Sequence, residues 1–180
     1  PAGFTRPDLV PETILPPAGP WGDWRLAPGV DRPVAAVLER AEALVRSRLA
    51  AFGTGADRFG LIHADMHASN VLVDGDALTV IDFDDCGFSW HLYDLATALS
   101  FLEARPAAAA LTAAWLEGYR RIRQLPREQL DEIEALVILR RLVLLAWVGT
   151  HAETELAAAF TGNFAMGSAH LAERFLGLRG

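Results

Sequence analysis

A mainly helical α+β fold carrying one small β-hairpin is what this sequence predicts. Three observations carry that reading. Asp74-Gly75-Asp76 stands between two short apolar segments, a strong local signal for a tight hairpin. Between Asp31 and Phe52 apolar residues recur at three- and four-residue spacing, the period of one helix face. From Leu92 onward the chain reads as helix, with Pro106 and Pro126 marking the breaks.

Each element follows from local chemistry. Residues 1–33 hold eight of the ten prolines and are expected to form an extended arm or linker, with residues 34–180 as a single lobe. Trp21 and Trp24 lie within that arm. They either anchor it on the core or offer an aromatic face to a substrate. The helix over 31–52 has Asp31 as its cap, Pro33 in its first turn and Gly53 with Gly55 at its end. Short strands are expected at 59–62, 71–73 and 78–81, and helices at about 92–103, 107–123, 128–149 and 163–177. The 128–149 helix is apolar nearly all round after its first turns, so it should be the buried centre of a bundle. Arg140 and Arg141 interrupt its apolar run, which is too short and too charged to span a bilayer.

Composition excludes several functions. The 180 residues are 52% apolar and 22% charged, which is globular, and the net charge of −7 argues against nucleic acid as a partner. Cys86 is the sole cysteine and reads as a small apolar residue. With no disulfide possible within the chain and no basic-then-apolar leader pattern, a cytoplasmic location is expected, and no membrane. All 16 basic residues are arginine.

The chemistry concentrates in His63-Ala64-Asp65-Met66-His67-Ala68-Ser69-Asn70, followed by Ile81-Asp82-Phe83-Asp84-Asp85. An Asp and an Asn five residues apart leave one strand, and a second Asp ends the strand after the hairpin. The hairpin returns Asp82 to the side that Asn70 leaves. Such a set aims a base and hard metal-holding oxygens at one point, which is what phosphoryl transfer from a Mg-nucleotide needs. Asp65 is the candidate base, with Asn70 and Asp82 as candidate ligands for Mg²⁺. Asp85 suits a solvated turn. A competing reading is open at this point: His63, Asp65 and His67 alternate, and in an extended segment they could ligate a transition metal for hydrolysis.

The pattern His63-x-Asp65-x4-Asn70 with Ile81-Asp82-Phe83 resembles the catalytic and metal-binding loops of the protein-kinase-like superfamily. His67, and Asp94 within Tyr93-Asp94-Leu95-Ala96, are similar to residues of its aminoglycoside phosphotransferase and choline kinase branch. The stretch 59–99 looks especially like bacterial homoserine-kinase-like and stress-response-kinase-like phosphotransferases. The resemblance covers residues 34–177 as a C-terminal lobe. It implies ATP and Mg²⁺, with Asp65 as catalytic base and Asn70 and Asp82 as metal ligands. Asp84, where protein kinases have Gly, is a further metal candidate. His63, His67 and Asp94 support the site, Asp94 by bonding the loop backbone or by capping the following helix. The acceptor implied is a small-molecule hydroxyl, since residues 83–95 are too few for a long activation segment. The alternatives are a stress-response type serine/threonine kinase or a non-catalytic scaffold lobe. The family's N-terminal lobe supplies a Gly-rich loop and a lysine for the phosphates. Neither occurs here, so the sequence is expected to be a C-terminal lobe without phosphate clamp, inactive alone, partnered by the missing lobe or by a second copy.

Overall fold

The computed structural model describes residues 5–160 and 163–177, with the side chain of Leu156 left out. The chain divides into two compact units. One joins the residues up to Leu9 with Thr54–Ile133, and the other joins Val10–Gly53 with Glu134 onward.

The second unit is helical. α1 (Pro11–Ile14) and a 3-10 turn at Trp24–Leu26 lead to α2 (Arg32–Phe52). The Asp31 carboxylate accepts the Val34 N–H at 3.0 Å, and the Gly53 N–H closes on the Leu49 carbonyl at 3.1 Å, so both ends are capped as the sequence predicts. Of the apolar stripe Val34, Val37, Leu38, Ala41, Leu44, Val45, Leu49 and Phe52, five residues (Val34, Leu38, Ala41, Val45 and Leu49) are buried and Val37, Leu44 and Phe52 are half-buried. α6 (Ile133–Thr150), α7 (Glu155–Phe160) and α8 (Phe164–Gly177) complete the unit, and α8 packs along α2. Leu139, Leu142 and Leu145 of α6 are all 0% exposed, as expected of a central helix. Arg141, buried in α6, donates to Ser168 Oγ at 2.9 Å and lies 3.6 Å from the Phe164 ring centre, so its charge is partnered. Trp24 is fully buried, its Nε1 donating to Glu42 at 2.9 Å, and Glu42 also accepts from Arg25 and Arg46. The proline-rich stretch thus carries more regular structure than its composition suggests.

The first unit holds two small antiparallel sheets. β2 (Val71–Asp74) and β3 (Ala77–Val80) form the predicted hairpin, with Asp74 opposite Ala77. Gly75 takes φ +57° at the first central turn position, which glycine adopts without strain. β1 (Phe59–Ile62) pairs with β4 (Gly87–Trp90), a strand the sequence reading did not anticipate. Residues 7–9 run beside β4, with Leu9 N–H on the Phe88 carbonyl at 2.7 Å and Phe88 N–H on the Pro7 carbonyl at 2.8 Å. A Cβ at Gly87 would stand 2.7 Å from that Pro7 oxygen, so the close approach needs glycine.

Three short helices complete this unit. α3 (Tyr93–Ala98) is shorter than the expected 92–103, because Phe101 adopts φ +66° and ends the helical path. α4 (Ala108–Arg120) falls inside the predicted 107–123. α5 (Arg127–Leu130) is split from α6, whereas one helix was expected over 128–149. Buried Gln129 donates to the Asp57 carbonyl at 3.2 Å, and the chain turns at Asp131 and Glu132.

Candidate active site

The site is built on the turn after β1. Ile62 and His63 are buried, and Ala64 sits at φ +67°, a left-handed conformation that costs a non-glycine residue roughly 1 kcal/mol or more. α3 holds that turn in place. Asp94 accepts the His63 N–H at 3.1 Å and the Ala64 N–H at 2.8 Å, one on each carboxylate oxygen. One helical turn on, Thr97 Oγ1 accepts the Met66 N–H at 3.0 Å while donating to the Asp94 carbonyl. Three backbone donors are thereby satisfied by one short helix, which offsets the strain at Ala64.

The turn presents Asp65. Asn70, buried at the end of a 3-10 turn (Ala68–Asn70), donates from Nδ2 to the Asp65 carbonyl at 2.9 Å and to Asp65 Oδ2 at 3.1 Å. His67 Nε2 lies 3.2 Å from the same Oδ2. With its amide hydrogens on Asp65, Asn70 turns its Oδ1 the other way.

The hairpin brings the second loop alongside. Ile81 N–H donates to the Asn70 carbonyl at 3.0 Å, so Asp82 follows directly beside Asn70. His63 Nε2 meets the Ile81 carbonyl at 2.9 Å, its Nδ1 accepts the Asp65 N–H at 3.2 Å, and its ring lies 4.6 Å from that of Phe83. Both His63 nitrogens are thus engaged with backbone. Among the described residues no three His, Cys, Asp or Glu side chains gather as a metal-holding cluster, so the alternating His63, Asp65 and His67 do not form the transition-metal site considered above. Asp82 is exposed and at φ +63°, a conformation Asp tolerates better than most residues.

Asp65, His67 and Asn70 are therefore in direct contact, and His63 and Asp94 bond the backbone around them. Among the described residues no hydrogen bond ties the carboxylates of Asp82 and Asp84 to this cluster. Asp84 is exposed, and its carbonyl accepts from Arg6 at 3.0 Å. The donor chemistry suits a hard divalent cation: an amide oxygen and an exposed carboxylate on adjoining strand ends, with no sulfur or free imidazole among them.

Beside the loop is a cavity of about 410 Å³ lined by Leu61, Ile62, Met66, His91, Asp94, Trp115 and Tyr119. Its size is that of a small-molecule site. Sequence reasoning missed His91, Thr97, Trp115 and Tyr119. The spacing Asp94-x2-Thr97 and the one-turn spacing Trp115-x3-Tyr119 were the signals available. His91 is held below its ordinary value of 6.5, first by burial and then by the Arg123 guanidinium.

A mostly helical fold with small antiparallel sheets thus carries a turn that joins Asp65 to Asn70, with Asp82 on the adjoining strand end. The chain belongs to the phosphotransferase enzyme family (APH), whose model matches residues 6–125. Among solved structures it is similar to a microcompartment-associated aminopropanol kinase, at 44% identity and a TM-score of 0.91 over 98% of this chain and 56% of that one. It shares its fold with an amicoumacin kinase solved with AMP-PNP, Ca²⁺ and Ami, at 18% identity and a TM-score of 0.68 over 93% of this chain and 51% of that one. It is 35% identical over 63 residues to amicoumacin kinase of Bacillus subtilis (strain 168), 35% of this chain and 18% of that protein. The chain spans about half the length of the solved relatives.

Proposed function

We propose that this chain carries the transfer centre of an ATP-dependent kinase that moves the γ-phosphoryl group to a hydroxyl of a small molecule. The observation that supports it best is the Asp65–Asn70 contact, fixed from behind by Asp94 on the loop backbone. In this reading Asp65 is the base. Its carboxylate orients the acceptor hydroxyl and takes its proton as the oxygen bonds to phosphorus and the bond to the departing ADP breaks. The amide contact at Oδ2 fixes the orientation of the carboxylate. Asn70 Oδ1 and the Asp82 carboxylate would hold Mg²⁺, with Asp84 as a further ligand. When bound, the ion neutralises phosphate charge. His63 keeps the two loops in register, and His67 braces the Asp65 carboxylate.

The acceptor's place is the cavity beside Met66 and Ile62, whose size supports a small molecule over a protein segment. The hairpin exposes the cross-strand pair Val73 and Leu78 on one face and Leu72 on the other, and Phe83 beyond it is also half exposed; apolar surface of this kind calls for a cover. A nucleotide lobe or a second copy fits that role. No lysine occurs in the sequence, so the phosphate clamp is assigned to that partner and the chain alone is expected to transfer slowly. The lone buried cysteine supports a cytoplasmic location. Among the described residues no helix is long and apolar enough to cross a membrane.

The test is transfer of labelled γ-phosphate from Mg-ATP to a panel of small alcohols by the intact protein, with 1-amino-2-propanol first because of the similar aminopropanol kinase. Transfer that Asp82→Ala strongly reduces, with a raised Mg-ATP requirement for the residual activity, is the expected result. Absence of transfer to any member of the panel would refute the reading.

A further inference from the structure

The transfer chemistry leaves Arg6 without a role, yet it is bonded to the loop that carries Asp82. Residues 82–84 are all exposed, and Asp82 is left-handed at φ +63°. Both ends of the loop are fixed. At its entrance Ile81 is tied to Asn70 and His63, and at its exit Gly87 begins β4. The middle is held far less. The Cys86 N–H closes on the Phe83 carbonyl at 3.1 Å, within the loop itself. From outside, among the described residues, residues 82–84 are held by one ring contact and one hydrogen bond: the His63 ring against Phe83, and Arg6 Nη1 donating to the Asp84 carbonyl at 3.0 Å.

The arm aims Arg6 at that carbonyl. Proline at position 7 restricts the residue before it to extended backbone, so Arg6 continues the line of the arm. The arm is fastened to the strand that leaves the loop. Pro7 and Leu9 bond the N–H and the carbonyl of Phe88, and buried Ser89 donates from Oγ to the Leu9 carbonyl at 2.8 Å. The guanidinium therefore hangs from a fixed point beside the loop. Its bond to Asp84 is charge-assisted, and it holds the peptide that joins Asp84 to Asp85. Among the described residues Arg6 forms no ion pair with Asp82 or Asp84, which leaves both carboxylates open to a cation.

We propose that Arg6 is a positioning residue of the metal-holding loop: by pinning the Asp84 carbonyl from the arm, it fixes where Asp82 presents its carboxylate to the divalent cation. The proposal rests on the reading of Asn70 and Asp82 as ligands of that cation, and it adds the arm to the site. Charge alone predicts the opposite effect. A guanidinium repels a cation nearby, so removing it should tighten metal binding. Removing a strap should weaken binding, because the cation must then order the loop itself. The sign of the change separates the two.

The experiment titrates the chain with Mn²⁺ alone, reading free Mn²⁺ by electron paramagnetic resonance, and follows amide hydrogen exchange at Cys86 and Phe88 by NMR. Wild type should bind Mn²⁺ at a site that Asp82→Ala weakens at least about tenfold. Arg6→Ala should weaken it at least about threefold, and Arg6→Lys, which keeps the charge and a donor, should stay within about twofold of wild type. The Cys86 amide should exchange faster in Arg6→Ala, whereas the Phe88 amide, held by the backbone of the arm, should not. Arg6 is exposed, so the variants keep the fold, and equal urea midpoints check this. Unchanged or tighter Mn²⁺ binding in Arg6→Ala, an Arg6→Lys protein no better than Arg6→Ala, unchanged Cys86 exchange, or equal speeding at Phe88 would overturn the proposal. The two readings fail differently. If Asp82→Ala weakens Mn²⁺ binding and Arg6→Ala does not, only the strap is wrong. If wild type binds no Mn²⁺, or Asp82→Ala binds it as wild type does, the metal assignment falls and the strap falls with it.

Discussion

Asp94 is the residue that turns a sequence pattern into a geometry. It accepts two adjacent backbone N–H groups around a residue held at φ +67°, and charge-assisted bonds of this kind are worth about 1.5–3 kcal/mol each. In Asp94→Asn one acceptor oxygen becomes a donor facing an N–H. We expect kcat to fall at least about tenfold, with a smaller change in KM, and steady-state kinetics on the folded variant reads this directly. Unchanged kcat would mean that the loop holds itself. The family resemblance leaves two places for Asp94, on the loop backbone or as a helix cap, and the loop backbone is where its carboxylate lies. That of Thr97 was not, because a threonine in a helix has many uses and its partner Met66 lies thirty-one residues away. His91 escaped notice for a related reason: its meaning depends on Gly60 across the sheet and on α4 beyond it, and neither is near it in sequence.

At the scale of elements, legibility followed periodicity. The helix over 31–52 and the hairpin at Asp74-Gly75 announce themselves within a few residues of sequence; the helix has its expected ends, and the hairpin strands lie at Val71–Asp74 and Ala77–Val80 where 71–73 and 78–81 were expected. β4 did not announce itself, since Gly87–Trp90 becomes a strand by pairing with β1 and with residues 7–9, partners distant in the chain. The end of α3 was equally silent: Phe101 turns left-handed with no Gly or Pro to signal it. Two substitutions test the elements. Leu142→Ala removes a side chain that is 0% exposed in α6 and should cost about 2–5 kcal/mol in urea unfolding; a value near zero would place that face at a surface. Gly75→Ala puts a Cβ on a residue at φ +57° with nothing within 4 Å of it, so its cost is backbone strain alone, about 1 kcal/mol.

At the scale of the whole molecule, pH and chain length bear on function. The His91 pKa is depressed in the folded protein, so the unfolded chain binds this proton more readily. The stability from keeping the ring neutral is present above 6.5 and is lost as pH falls from there through the folded value. Urea midpoints should therefore drop between pH 7.5 and 5.5, and drop less in His91→Phe; parallel losses in both proteins would show that another group governs that window. The family was legible because the spacing of its motif residues is local and joint.

The claim on which the rest depends is that Asp65 is the base. Its most direct test is kcat for γ-phosphate transfer from Mg-ATP to 1-amino-2-propanol by the intact protein, wild type against Asp65→Asn. We expect kcat to fall by about 10²–10⁴-fold, with Mg-ATP affinity changed only a few-fold, because the lost interaction is made in the transition state. An Asp65→Asn protein that transfers within about threefold of wild type would contradict the account, whatever else the site binds.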